Sequence, residues 1–186
     1  MQEGRSILNN SQIDLIISRL CYQIVENYAD LDNLCIIGIQ PRGVYFANRV
    51  FARLSEILEG RKIHFGKLDI TFFRDDFRKG APLKANSTDI KFLIEEKAVL
   101  LIDDVLYTGR SIHAAIAALQ NYGRPNKIDL MVLIDRRFNR EYPIKANYVG
   151  MIVDSLDEAY VKVNWEENNG TNNVIIYPDK TIKNNV

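Results

Sequence analysis

The chain has 186 residues, 47% of them hydrophobic and 26% charged, a composition typical of a globular protein that can bury a core. Lysine plus arginine and aspartate plus glutamate each number 24, so the net charge is zero and nothing overall indicates nucleic-acid binding, although a local patch could provide it. No apolar run approaches the roughly 20 residues that span a bilayer. The first residues do not resemble a secretory signal, and two cysteines make no disulfide framework. We therefore predict a cytoplasmic protein with no membrane partner.

The first part of the chain alternates helical and extended patterns. A loose capping box at 11–14 predicts the start of a helix that reaches Tyr28. An aliphatic strand over 34–39 is followed by a turn and by a second amphipathic helix that ends near Gly60. Apolar residues then alternate over 63–73, which predicts another strand.

The rest of the chain continues this alternation and then changes. Residues 74–95 are polar with weak periodicity, which predicts a long, flexible hairpin loop. Strands over 98–102 and 128–134 flank a further helix, and this order predicts an α/β fold with a doubly wound parallel sheet. Only short strands follow, near 147–153, 158–164 and 173–177. We expect a small C-terminal hood, about 135–180, over the carboxyl edge of the sheet, within one domain of residues 1–186.

The segment 99–111 carries the most specific pattern. Its aliphatic residues predict a buried strand that ends on Asp103 and Asp104, and a short loop containing Thr-Gly then leads into an amphipathic helix. The amides of 108–111 would face an anion at the positive end of the helix dipole, and the paired carboxylates can accept hydrogen bonds from ribose hydroxyls. The alternative is a buried strand whose acids only cap the helix, in which case the acid pair and the Thr-Gly-Arg-Ser run coincide by chance.

This arrangement resembles the phosphoribosyl pyrophosphate (PRPP) loop of the type I phosphoribosyltransferases. The resemblance implies the fold of that family, transfer of a phosphoribosyl group from PRPP, and Mg²⁺ as the cofactor. It implies that Asp103 and Asp104 are catalytic, hold the ribose, and contact the metal indirectly or through water. The further residues that it assigns to PRPP and phosphate binding are Val105, Leu106, Tyr107, Thr108, Gly109, Arg110 and Ser111.

The family's pyrophosphate loop corresponds here to Pro41, Arg42 and Gly43. An arginine at this turn can bind pyrophosphate through two hydrogen bonds, so Arg42 is a further catalytic candidate. Family members often contain a cis peptide here, and we predict one before Pro41, since proline lowers the cost of that isomer. The alternative is an ordinary turn with a surface arginine.

The family's flexible catalytic loop corresponds to the stretch that begins at Arg74. Its cations at Arg74, Arg78 and Lys79 could neutralise departing pyrophosphate while the loop excludes water from the cationic sugar. We take Arg74 as the catalytic candidate of this stretch. The alternative is a solvated hairpin tip.

The candidate base-binding residues lie in the last third of the chain, and their spacing is the reason for choosing them. Arg136 or Arg137 is placed to meet pyrophosphate or the base, and Arg136 is the base-binding candidate. Lys145 lies in a stretch similar to the base-binding segment of hypoxanthine and uracil enzymes, where a cation donates to an exocyclic oxygen. Tyr160 or Val161 would cover the base ring.

Within the family, the chain is most similar over nearly its whole length to the bifunctional pyrimidine-operon attenuator/uracil phosphoribosyltransferase proteins. The segments that carry this similarity are 38–45, 68–76 and 101–110. Purine enzymes usually have an aspartate base where Tyr107 stands, and a phenol is a poor base at neutral pH. This position favours uracil as the acceptor, which would give UMP and pyrophosphate.

The resemblance also implies UMP-dependent binding of an mRNA leader hairpin that regulates pyrimidine genes. Arg19, Arg140 and Lys145 match the basic residues of that function. Because RNA affinity depends on phosphate-neutralising cations, departures from this set weaken the match. The departures are Asn27, Asn139 and Met151. A non-catalytic RNA-binding regulator and a hypoxanthine/guanine phosphoribosyltransferase are the alternatives, and a homo-oligomer, dimer or larger, is expected.

Overall fold

A computed structural model describes residues 4–75, 85–154 and 159–178 of the chain. Short 3₁₀ turns lie at Thr71–Phe73 and Gln120–Tyr122. The strands and helices in chain order are β1 (Arg5–Leu8), α1 (Asn10–Asn27), β2 (Leu34–Ile39), α2 (Gly43–Ile57), β3 (His64–Leu68), β4 (Ala98–Leu106), α3 (Arg110–Leu119), β5 (Lys127–Arg136), β6 (Tyr148–Val153), β7 (Tyr160–Asn164), α4 (Glu166–Asn169) and β8 (Asn173–Tyr177).

The central sheet has five parallel strands in the order β3–β2–β4–β5–β6. Successive residues of a strand face opposite sides, so Ile36 packs in the core under α1 and α2, whereas Ile37 packs in the core under α3. Helices on the two faces bury every residue of β2. The predicted doubly wound α/β sheet is confirmed.

Parallel strands bring the loops after β2, β3, β4 and β5 to one edge of this sheet. The middle strand of the five, β4, extends four residues past its predicted end at 102, so the two predicted acids lie within the strand. Asp103 pairs with Val132 of β5 in the sheet register. The predicted site residues around 40–43 and 103–111 therefore lie at the carboxyl edge, where ligands of such folds bind.

A second, antiparallel sheet has the order β1–β8–β7. It corrects the predicted hood in two ways: β6 belongs to the central sheet, and the N-terminal β1 joins the small sheet. A short alternating strand does not indicate which sheet it will pair with, because its pattern reports only that one face is buried. Buried Trp165, which follows β7, lies beside Phe46 of α2, with ring centroids 6.2 Å apart, and so packs the end of β7 against α2.

Two further predicted boundaries were wrong. The capping box of α1 is formed by Asn9 and Gln12, whose side chains each accept a hydrogen bond from the other's backbone N–H at 2.9 Å, and not by the box predicted at 11–14. The strand predicted over 63–73 ends at Leu68, because the N–H of Asp69 donates to the hydroxyl of Thr88 and the chain then turns.

Part of the predicted hairpin loop over 74–95, with Arg78 and Lys79, lies outside the described residues. In the described part, an isolated antiparallel bridge joins Asp89 to Lys67. Among the helices described, none combines the length and apolarity needed to cross a membrane.

Candidate active site

A cavity of about 270 Å³ lies where β4 passes into α3. Residues 107–111, which we call the phosphate loop, contribute half of its lining. Gly109 adopts a left-handed conformation (φ 91°), which favours glycine, and Arg110 then begins the helix. The lining residues are Arg74, Asp103, Val105, Leu106, Tyr107, Thr108, Gly109, Arg110, Ser111 and Ile112. The structure thus brings the predicted phosphate-binding stretch together with Arg74 and one acid.

The phosphate loop is held from outside by the segment 140–142. The guanidinium of Arg140 donates to the carbonyl oxygens of Leu106 (3.3 Å) and Tyr107. The N–H groups of Glu141 and Tyr142 both donate to the carbonyl oxygen of Thr108, at 2.9 and 3.1 Å. Two carbonyl groups of the loop, and that of Leu106 just before it, are therefore engaged by a segment that sequence reasoning did not connect with it.

The acid pair is buried, with Asp103 8% and Asp104 6% exposed. Burial raises the pKa of Asp103 well above its ordinary value, and the adjacent Asp104 carboxylate raises it further. Burial also raises the pKa of Asp104, although the charge of Arg42 opposes this. Within the described residues the buried Oδ2 atom of Asp104 has no hydrogen-bond partner. An orphaned buried acceptor costs about 1–3 kcal/mol, so this atom is suited to a ligand's donor or cation.

The loop before α2 packs directly on the acid pair. The Gln40–Pro41 peptide bond is cis, as predicted. Gly43 lies so close to β4 that an added Cβ would stand 2.7 Å from the carbonyl oxygen of Ile102 and 2.9 Å from Oδ1 of Asp103. Sequence reasoning assigned Gly43 to phosphate binding and missed this contact, since a lone glycine after a turn carries no signal of what it touches.

Arg42 and Arg74 approach the site from different loops. The Nη1 atom of Arg42 lies 3.5 Å from the hydroxyl of Tyr160, which is the first residue of β7. Arg74 lines the cavity, and its charge lowers the pKa of Asp103 against the larger effect of burial. The guanidinium of the third predicted arginine, Arg110, contacts the carboxylates of Asp75 and Glu141.

The four residues predicted to bind the base do not line this cavity. Arg136 is buried, donates to the carbonyl oxygen of Ala159 at 2.8 Å, and places its guanidinium carbon 4.0 Å from the ring centroid of Tyr107. Val161 is buried in the core under α1 and α2, so its side chain packs internally and does not cover a base. Lys145 is exposed.

The three residues predicted to bind RNA differ in their surroundings. Arg19 is exposed on α1 and donates to the carbonyl oxygens of Val149 and Gly150 at 3.0 and 2.8 Å. Lys145 is exposed, as noted above. Arg140 has a 23% exposed side chain engaged by Asp135 and by four backbone carbonyl groups, those of Leu106, Tyr107, Arg136 and Ile144. These contacts show that Arg140 holds neighbouring backbone segments together inside the protein.

Asp135 is a further residue that sequence reasoning missed. It pairs with Leu106 across β4 and β5, and its carboxylate binds Arg140. The sequence contained a signal for this residue, because Asp135 follows a buried apolar run in β5 just as Asp103 and Asp104 follow one in β4.

The acid pair offers ligands that fit Mg²⁺. Across the described ranges, no group of three or more His, Cys, Asp and Glu side chains could hold a metal ion. The orphaned Oδ2 atom of Asp104 and the neighbouring Asp103 offer hard oxygen ligands, and this set fits an ion that keeps water and substrate oxygens as its other ligands.

Comparison with known proteins identifies the family of the chain. Residues 3–168 match the family model described as the phosphoribosyl transferase domain. The chain is 41% identical over 177 residues to a "Bifunctional protein PyrR" of Desulfosudis oleivorans, covering 95% of this chain and 97% of that protein. It is 41% identical over 181 residues to one of Bacillus cereus, covering 95% and 99%. A hypoxanthine phosphoribosyltransferase structure from Staphylococcus aureus, 23% identical, superposes with a TM-score of 0.68 over 95% of this chain and 92% of that one, a likeness of fold alone.

Proposed function

The chain belongs to the phosphoribosyltransferase family and, within it, to the bifunctional PyrR proteins, and from this premise we propose that it transfers the phosphoribosyl group of PRPP to uracil. The products are UMP and pyrophosphate. The observation that carries the proposal is the buried acid pair, with its orphaned oxygen, beside a cavity bordered by the phosphate loop. Neither a plain helix cap nor a surface turn requires such a pair.

Substrate binding follows from the position of each group. The backbone N–H groups of the phosphate loop, with the hydroxyls of Thr108 and Ser111, bind the 5′-phosphate at the helix start. Asp103 and Asp104 accept hydrogen bonds from the ribose hydroxyls. Pro41, Arg42 and Gly43 hold the pyrophosphate, with Arg42 as its cationic donor. When bound, Mg²⁺ supplies positive charge that neutralises the PRPP oxygens, and Asp103 and Asp104 would hold it indirectly or through water.

In the reaction a ring nitrogen of uracil forms a bond to C1′ of the ribose. The C1′–oxygen bond breaks, its electron pair leaves with pyrophosphate, and the proton of the uracil nitrogen passes to the departing pyrophosphate. Asp103 and Asp104 keep the ribose oriented and stabilise the positive charge that develops at C1′, while Arg74 and Arg42 stabilise the departing anion. The residues of the chain thus act by position and charge, without a covalent intermediate.

Tyr107 supports uracil rather than a purine as the acceptor. Its ring packs on the guanidinium of Arg136, so the phenol is part of a fixed stack at the position where purine enzymes have an aspartate base. The base-binding assignments of Arg136, Lys145 and Tyr160 remain part of the proposal, with Arg136 acting through Tyr107. An assay with PRPP, Mg²⁺ and a panel of bases tests this: we expect pyrophosphate release with uracil, and release with hypoxanthine or guanine alone would contradict it.

We also propose UMP-dependent binding of an mRNA leader hairpin, as in the bifunctional family. The exposed cations Arg19 and Lys145 support it, whereas Arg140 contributes by holding the site that senses UMP. A gel-shift titration of the leader RNA, with and without UMP and over a range of salt, tests this role. RNA binding without any UMP formation would instead identify a non-catalytic regulator.

Three further features belong to the proposal. The location is the cytoplasm, consistent with Cys21 and Cys35, which are both buried and unbridged. The chain acts as a single domain, residues 1–186, and assembles as a homo-oligomer. Sedimentation analysis measures the assembly.

A further inference from the structure

Arg110 has an unexpected environment for a residue assigned to phosphate binding. It is the first residue of α3, and its backbone N–H lies 3.4 Å from the hydroxyl oxygen of Thr108. Its guanidinium donates at the same time to the carboxylates of Asp75 and Glu141. The hydrogen bond to Glu141 and the charge of Asp75 raise the pKa of Arg110. The arginine is therefore a permanent cation shared by two acids.

The two acids belong to different parts of the site. The N–H of Glu141 donates to the carbonyl oxygen of Thr108 at 2.9 Å, which ties Glu141 to the phosphate loop. Asp75 directly follows Arg74, which lines the cavity together with Asp103. Arg110 is thus the link between the phosphate loop and the stretch that carries Arg74.

The backbone at Arg74 explains how this link acts on the cavity. Arg74 has extended torsions, φ −79° and ψ 139°. In extended chain, successive side chains point to opposite sides. The contact of Asp75 with Arg110 therefore restrains the backbone next to Arg74, whose charge acts on Asp103.

We infer that Arg110 is a positioning residue, which holds Asp75 and Glu141 so that Arg74 stays against the acid pair, and that its side chain does not bind substrate. This inference rests on the proposed transferase function and deepens it. It predicts that Arg110 and Asp75 act as one unit. Removing either partner releases Arg74 to the same extent, and removing both costs no more than removing one.

A double-mutant cycle with Arg110→Met, Asp75→Asn and the double variant tests the inference. We expect each single variant to lower kcat about tenfold, less than the roughly 10²-fold loss that follows a 1 Å misplacement, with KM for uracil unchanged. The double variant should match the singles, because coupled residues are not additive. Asp75→Glu keeps the carboxylate and should retain most of the activity. Arg53→Met is the matched control, since the similarly exposed Arg53–Glu56 pair lies on α2 away from the cavity.

Calorimetric titration of PRPP into the same variants provides a second measurement that does not need turnover. We expect Arg110→Met and Asp75→Asn to change the PRPP affinity by the same factor. A loss in Arg110→Met that neither Asp75→Asn nor Glu141→Gln reproduces would assign the guanidinium to direct phosphate binding and overturn the inference, as would additive losses in the double variant. A wild-type protein that binds PRPP but forms no UMP would refute the proposed function, and the binding cycle would still decide the role of Arg110.

Discussion

Replacing Gly43 by alanine perturbs the contact between the pyrophosphate loop and the acid pair. The new Cβ would lie 2.7 Å from the carbonyl oxygen of Ile102, and 2.9 Å from both the Cα and the Oδ1 atom of Asp103. These neighbours are largely backbone atoms of a central strand and cannot rotate away. Reaching an ordinary 3.4 Å contact requires a shift of about 0.7 Å between α2 and β4.

Two opposing effects determine how far Gly43→Ala changes the free energy of unfolding. Overpacking costs about 1–3 kcal/mol, whereas alanine gains up to about 1 kcal/mol over glycine in a helix. We expect a net loss of about 1–2 kcal/mol, or a Tm lower by roughly 2–8 °C for a chain of this size. The displacement of the acid pair from the pyrophosphate loop should lower kcat/KM for PRPP roughly 10²-fold.

Gly60→Ala separates the effect on the site from the effect on stability. Gly60 also has a conformation that disfavours alanine (φ 86°), but nothing lies within 4 Å of its added Cβ. The substitution should cost about 1–2 kcal/mol through backbone strain alone. We expect a similar fall in Tm with unchanged turnover, measured as UMP formation. If Gly43→Ala retains kcat/KM within twofold of the wild type while Gly60→Ala behaves as expected, the close packing does not set the geometry of the site.

Three further predictions concern Asp103, Asp104 and Arg140. Asp103→Asn or Asp104→Asn should lower kcat by about 10²-fold or more without lowering Tm, and near-normal turnover of the folded double variant would contradict the assignment. Because burial raises the pKa of both acids, the folded state binds protons that the unfolded state releases. The stability contribution of the acids is therefore highest at low pH and lost as pH rises through their folded pKa. In urea unfolding, the free-energy advantage of the double asparagine variant over wild type should grow from pH 5 to pH 8, and a constant difference would refute this. Arg140→Gln should raise KM for PRPP about tenfold, since it removes charged hydrogen bonds worth about 1.5–3 kcal/mol each; lost RNA binding with unchanged KM would restore its predicted RNA role.

The phosphate loop could be predicted because its signals are local. The strand, the two acids, the glycine and the start of α3 follow one another within 99–111, and each signal constrains its immediate neighbours. The cis bond before Pro41 was predictable for the same reason, since it depends on the residue and its turn. The order of strands and helices likewise predicted a parallel sheet, because the alternation of patterns implies crossover connections.

The predictions that depended on distant partners were less accurate. β6 was assigned to the hood and belongs to the central sheet. Val161 was assigned to the base and lies in the core, because the alternation of a strand does not say which face is covered. Arg19 and Arg140 are both cations in the sequence and were given the same predicted role. In the structure Arg19 is exposed, whereas Arg140 is held by Asp135 and by carbonyl groups up to 34 residues away.

The order of residues along the chain was enough to predict the kind of fold and the turn from β4 into α3 at residues 107–111, since the conformations involved are set by neighbours a few residues apart. Only folding specified how these parts are held: Gly43 against Asp103, Arg140 around the outside of the phosphate loop, and Arg110 between Asp75 and Glu141. The physical reason is that a guanidinium or a missing Cβ has no preferred partner in the chain. Its contact is chosen by whichever backbone or carboxylate the packed sheet and helices bring within reach.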